Sequence, residues 1–152
     1  MRVPCLWVIA AGCALALLAL LASMAAEGDQ LIATVGKPAI VTVPPKPDSF
    51  TAGSSAPRVV VHVTGYQPPQ QGSVRGVVKV QKPDGTEQEI GTFGVFPDTA
   101  FKADSSRSRA YSFALPKELL TGAVKLKVEI VPDRAQATGE GAQLEVGRAE
   151  IQ

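Results

Sequence analysis

Val124-Lys125-Leu126-Lys127-Val128-Glu129-Ile130-Val131-Pro132 is the stretch on which the fold turns. Val124, Leu126, Val128 and Ile130 stand at every second position, with Lys125, Lys127 and Glu129 between them. A period of two puts the aliphatic side chains on one face of an extended strand and the charges on the other. That alternation fits an antiparallel sheet with one dry and one wet face. Pro132 has no N–H for the ladder and ends the strand.

Working outward, the same pattern recurs. Val74, Gly76, Val78 and Val80 are expected inward, with Arg75, Val77, Lys79 and Gln81 outward. Lys82-Pro83-Asp84-Gly85-Thr86 follows and reads as a hairpin turn, because proline presets the turn and Asp-Gly supplies the positive φ it needs. The strand ending at Gln81 should therefore pair antiparallel with Glu89-Ile90-Gly91-Thr92-Phe93-Gly94-Val95-Phe96-Pro97-Asp98. We expect that stretch to be a central strand whose glycines let a bulge or another backbone come close.

Upstream, Leu31–Val35 and Ala39–Val43 are short β-type runs. Arg58–Thr64 carries Val59, Val61 and Val63 on one face, with Val60 and His62 on the other. Tyr66–Gly72 reads as a turn-rich connection, and residues 98–108 as an exposed polar loop. Tyr111, Phe113 and Leu115 share a face of the next strand. Pro116–Gly122 reads as one helical turn, with proline at its start and glycine past its end. In Gln143–Ile151 the pair Leu144 and Val146 is out of phase with Ala149 and Ile151, so a bulge is expected at Gly147. The whole predicts an all-β chain, an antiparallel sandwich or barrel-like domain of about eight strands with one short helical turn.

The N-terminus is of another kind. Arg2 precedes an apolar run from Val3 to Ala22, then Ser23-Met24-Ala25-Ala26-Glu27. This is the pattern of an export signal, with Ser23 and Ala25 as the small residues before a cut at Ala25–Ala26. An uncleaved anchor is the alternative, since the run is long enough to span a bilayer. A lipoprotein site at Cys13 would require the chain to turn polar there, and it stays apolar. The expected organisation is a signal helix over 1–25, N-terminal strands and a Pro/Ser-rich connection over 26–57, and the main β-domain over 58–152. The protein is then exported, periplasmic or secreted, and meets a membrane only if the segment is kept.

Removal of residues 1–25 takes away both cysteines and the tryptophan, and lowers Lys plus Arg from 15 to 14 against 14 acidic residues. A net charge of zero disfavours a nucleic-acid surface. One histidine and no cysteine remain, too few for a zinc or copper site of the usual kind. A Ser–His–acid triad could use only His62. Lys102, Arg107 and Arg109 form a small basic cluster near Phe101, read as solvated loop charge. No catalytic, cofactor or metal-binding residue is assigned, and no enzyme activity is expected.

From Arg58 onward the order of features resembles the C-terminal, shielding domain of polyphenol oxidases and tyrosinases. Gly76-Val77-Val78-Lys79-Val80-Gln81 and Pro83-Asp84-Gly85 stand where that family has a strand and an acidic hairpin. Gly91-Thr92-Phe93-Gly94-Val95-Phe96-Pro97 matches its Gly-Ser/Thr-Phe segment ending in Leu/Phe-Pro. Tyr111–Leu115, Glu118-Leu119-Leu120, Val128–Pro132 and Val146–Ile151 follow in the family's order. Asp98 departs from it, since plant members often have histidine there. The family's copper-binding oxidase domain has no counterpart in these 152 residues. The resemblance implies a non-catalytic accessory domain that docks on a separately encoded tyrosinase-like copper oxidase, to shield or mature it. A generic exported β-sandwich that binds another protein or a surface glycan is the alternative. Tyr66, Phe96 and Phe101 are the candidate partner-binding residues, because aromatic groups on loops give contact area at little ordering cost.

Overall fold

The computed structural model describes residues 31–45, 56–102, 108–120 and 122–152. The expected signal segment, residues 46–55 of the Pro/Ser-rich connection and Arg107 lie outside the described residues.

The strands in chain order are β1 (Ile32–Thr34), β2 (Ala39–Val43), β3 (Arg58–Gln67), β4 (Val74–Gln81), β5 (Glu87–Phe93), β6 (Phe101–Lys102), β7 (Arg109–Ala114), β8 (Val124–Pro132) and β9 (Gln143–Ile151). A single 3₁₀ turn, Lys117–Leu119, joins β7 to β8 and starts directly after Pro116. Two antiparallel sheets result. One has the order β1-β9-β3, and β7 and β6 share the far side of β3. The other has the order β2-β8-β4-β5. The all-β sandwich expected from the sequence is what the chain forms.

The alternation of β8 is realised as read. Val124, Leu126, Val128 and Ile130 are buried, while β8 lies between β2 and β4 in its sheet. Its dry face meets Val59, Val61, Val63, Leu144 and Val146 of the other sheet in one continuous core. Burial of such aliphatic side chains contributes roughly 1.5–3 kcal/mol each and is the main force holding the sheets together. The Pro83-Asp84-Gly85 hairpin also forms as expected. Gly85 has φ +83°, its N–H donates to the Lys82 carbonyl at 2.9 Å, and Lys82 N–H donates to the Thr86 carbonyl at 2.7 Å.

The stretch expected to be a central strand is an edge strand. β4 bonds β5 on one side and β8 on the other, and β5 ends the sheet. A bulge does occur in it, because Val78 pairs with Gly91 while Lys79 pairs with Glu89, which leaves Ile90 extra. What approaches its glycine is a ring. A Cβ on Gly91 would lie 2.6 Å from Cδ1 of Phe113, and one on Gly76 would lie 2.4 Å from the Phe93 ring. Phe93 stacks against Tyr111 with centroids 4.2 Å apart and reaches Phe113 at 6.0 Å. The aromatic cluster thus closes the sandwich where the edge strand β5 meets β7.

The expected bulge at Gly147 is present. His62 pairs with Arg148 and Val63 with Val146, so Gly147 has no opposite number. It is matched by a second one. Val63 pairs with Val146 and Gly65 with Glu145, so Thr64 is the extra residue on β3. The two bulges sit side by side. A Cβ at Gly147 would lie 2.4 Å from Cγ2 of Thr64, so any side chain there would have to displace Thr64.

Three further details differ from the sequence reading. β3 continues through Tyr66 to Gln67 where a turn was expected, because the Thr64 bulge shifts the phase and sends Tyr66 inward. Residues 98–108 are not wholly loop, since Phe101 and Lys102 pair with Tyr66 and Gly65 as β6. Val77, expected outward, is on the outer face but buried. It lies on an inner strand with Thr92 and Glu129 on either side in register.

Candidate functional site

The structure places the three aromatic candidates in different environments. Tyr66 is 6 % exposed and belongs to the core, so its ring is not a surface contact. Its hydroxyl donates to Oδ1 of Asp98 at 2.7 Å. Burial, then the bond to the Asp98 carboxylate, push the phenol well above the usual tyrosine range. Phe101 is half-buried. Its ring is 6.4 Å from that of Tyr66, and the Arg109 guanidinium lies 4.0 Å from its centroid. That cation–π contact takes up Arg109, which was read as solvated charge. Phe96 is 87 % exposed.

Phe96 is exposed but framed. The connection Gly94–Ala100 carries the chain from β5 in one sheet to β6 in the other. Val95 packs against the core on one side of Phe96. On the other side Asp98 is held by Tyr66. The Phe96–Pro97 peptide bond between these anchors is cis. Tyr66 therefore anchors the connection at Asp98, and Phe96 is the large apolar group it presents to solvent.

A second feature was not visible in the sequence. On the outer face of the first sheet, Ile32, Glu145, Gly65 and Lys102 lie in one row across β1, β9, β3 and β6, and Gln143 pairs with Gln67 in the next row. Gly65 has no side chain, so the row has a gap in its middle. The gap is the floor of an open groove of about 420 Å³ lined by these residues with Tyr66, Ala100 and Phe101. Glu145 leans over the floor, and a Cβ at Gly65 would sit 3.0 Å from its Oε2. The Thr64 bulge is what turns Gly65 outward.

The outer face of the second sheet contrasts with this. Lys79 and Lys127 pair with Glu129 at 2.7 and 3.1 Å, and Lys127 pairs with Glu87 at 2.8 Å. The bond to Glu87, then that to Glu129, raise the Lys127 ammonium above its usual range. Partial burial pushes the Glu129 carboxyl up, but its bonds from Lys79 and Lys127 outweigh this and hold it below the usual range. These charges satisfy one another and contribute a few tenths of a kcal/mol per pair, roughly 0.2–1. In the groove, by contrast, neither Lys102 nor Glu145 takes part in an ion pair among the described residues.

His62, the one histidine, accepts or donates at both ring nitrogens. Nδ1 is 3.1 Å from Oγ of Ser108, and Nε2 is 3.4 Å from Oε1 of Glu150. Gln152 also donates to that carboxylate at 2.9 Å. The Gln152 bond, then the His62 bond, hold the Glu150 carboxyl below its usual range. A hydroxyl, an imidazole and a carboxylate in line invite a catalytic reading. They lie on an open strand face, however, with His62 between Ala110 of β7 and Arg148 of β9 in register. None of the described cavities includes them. They link β3 to β9 and to Ser108, the residue before β7. Among the described residues no three of His, Cys, Asp and Glu converge as a metal site would require.

Comparison with protein-family models, with curated proteins and with solved structures finds no match for this chain.

Proposed function

We propose that the protein is a non-catalytic, exported accessory domain that docks on a separately encoded tyrosinase-like copper oxidase, shielding or maturing it. The observation that carries the reading is Phe96, 87 % exposed between two anchored neighbours. It lies in Gly91–Pro97, the segment on which the resemblance to the polyphenol-oxidase C-terminal domain rests most. An aromatic side chain held out by a fixed backbone can enter a partner's pocket with little further ordering, and such residues dominate binding energy at interfaces.

The test is co-expression with an oxidase encoded beside this gene, followed by co-purification and assay of diphenol oxidation. Association that Phe96→Ser weakens about tenfold or more supports the reading. If the oxidase matures and behaves identically without this protein and never associates with it, the accessory role is lost and the generic exported binding module stands in its place. Phe101→Ser is the poorer probe, because Phe101 also carries the Arg109 contact.

A further inference from the structure

We infer that the groove over Gly65 binds an uncharged saccharide chain laid across β1, β9, β3 and β6. This does not rest on the oxidase reading, and Phe96 is not among the residues that line the groove.

The first argument is the state of the polar groups. Lys102, Glu145, Gln67 and Gln143 converge on one depression, and among the described residues none of their side chains is engaged in an ion pair or a hydrogen bond. Some polar side chains elsewhere on the outer faces do pair: the Lys79–Glu129–Lys127–Glu87 ring, Arg58 with Ser112 and His62 with Ser108 and Glu150. Charged donors and acceptors left open around a groove give charge-assisted bonds to whatever enters it.

The second argument is which chemistry suits that set. The lining has one cation and one anion, so it selects for neither a polyanion nor a polycation. A hydroxyl donates and accepts at the same atom. A row of hydroxyls can accept from the Lys102 ammonium and the glutamine amides while it donates to the Glu145 carboxylate. The groove is open, unlike the enclosed pockets that take small ligands. Ile32, 51 % exposed at the β1 end, and Ala100 at the β6 end offer apolar surface to the C–H faces of sugar rings.

The third argument is how the groove is made. Its floor exists because the Thr64 bulge turns Gly65 outward and because Gly65 has no Cβ to push Glu145 aside. Bulges concentrate where a sheet re-aims residues for a ligand.

The experiment is a titration of the ¹⁵N-labelled protein with cellohexaose, xylohexaose, mannohexaose and chitohexaose, followed by NMR. At least one of the four is expected to give saturable shifts at the amides of Gly65, Gln67, Lys102, Gln143 and Glu145. Glu145→Gln and the double variant Gln67→Ala/Gln143→Ala should each weaken that binding about tenfold or more. Both alter solvent-facing side chains and leave the core intact. Phe96→Ser should leave it unchanged, which separates this inference from the docking reading. The inference is overturned if no groove amide moves with any of the four, or if the shifts survive both groove variants. It is overturned equally if these amides respond only to the co-encoded oxidase, which would make the groove a protein contact.

Discussion

Replacing Gly76 by alanine adds one methyl group at the point where the sandwich closes. Its Cβ would sit 2.4 Å from Cε1 and Cζ of Phe93, well inside van der Waals contact, so the ring must move. It has little room to do so, because Tyr111 lies 4.2 Å away and Phe113 6.0 Å away between centroids. Overpacking of this kind costs about 1–3 kcal/mol. Phe93→Ala removes the ring and costs about 3–5 kcal/mol. In the double variant the new methyl enters the space the ring has left. It should therefore be no less stable than Phe93→Ala alone, and the coupling between the two sites should equal the whole Gly76→Ala penalty, about 1–3 kcal/mol. Urea denaturation followed by circular dichroism measures all four corners of the cycle. Where Phe93→Ala is too unstable to measure, Phe93→Leu serves with a smaller expected coupling. Additivity of the two changes, or a Gly76→Ala variant as stable as the parent, would refute the claim that a clamped ring closes this edge.

Other outcomes follow from the same structure. Val128→Asp buries a charge at a position 0 % exposed and should cost more than about 4 kcal/mol, read as loss of the β-type circular dichroism at 25 °C. Gly85→Val forces a β-branched residue to φ +83° and should cost about 1–3 kcal/mol in the same denaturation assay. Tyr66→Phe should cost about 1 kcal/mol at neutral pH through the lost bond to Asp98. Because the Tyr66 phenol is raised in the folded state, its contribution is full below the ordinary tyrosine value of about 10. It is lost progressively as pH rises above that value. The alkaline fall in stability should therefore be shallower in Tyr66→Phe. Glu129 is the opposite case. Its carboxyl is lowered in the folded state, so its contribution is present above the ordinary glutamate value and lost as pH falls through the folded one. The stability gap between parent and Glu129→Gln should accordingly close on acidification.

Where the sequence was legible, each strand had one wet face to mark its phase. β8 and β4 alternate charge with aliphatic side chains, and their dry faces could be read residue by residue. The hairpin was legible because Pro-Asp-Gly does the work of the turn locally. The Gly147 bulge was legible because two aliphatic pairs lie out of phase on either side of it. β3 has no such marker. Val59 to Val63 is apolar on both faces apart from His62, and Val60 is buried on the outer side. A phase slip at Thr64 therefore leaves no trace in the sequence. Tyr66 was assigned to a turn for this reason, and with it the site that depends on the slip. β6, two residues long, is shorter than any period that could announce it.

The groove and Phe96 occupy opposite ends of that scale of legibility. Phe96 was named as an aromatic beside Pro97, which is a local signal, and it is exposed because β5 ends at Phe93, before the expected strand would have taken it in. The groove needs Gly65 to stand between Glu145 and Lys102, and no local pattern states that juxtaposition. It arises from two unlike residues on two strands: Gly147, which leaves room for Thr64, and Thr64, which gives up its place in the ladder. Each alone breaks the regularity that would favour stability. Together they keep the core faces of β3 and β9 in register, with Val63 and Tyr66 inward on one and Leu144 and Val146 inward on the other. The departure from regular structure is thereby expressed only on the outer face. Departures from local rules that are compensated on the core side and left open on the solvent side are expected where a protein binds something. The unspent polar groups around Gly65 mark that place here.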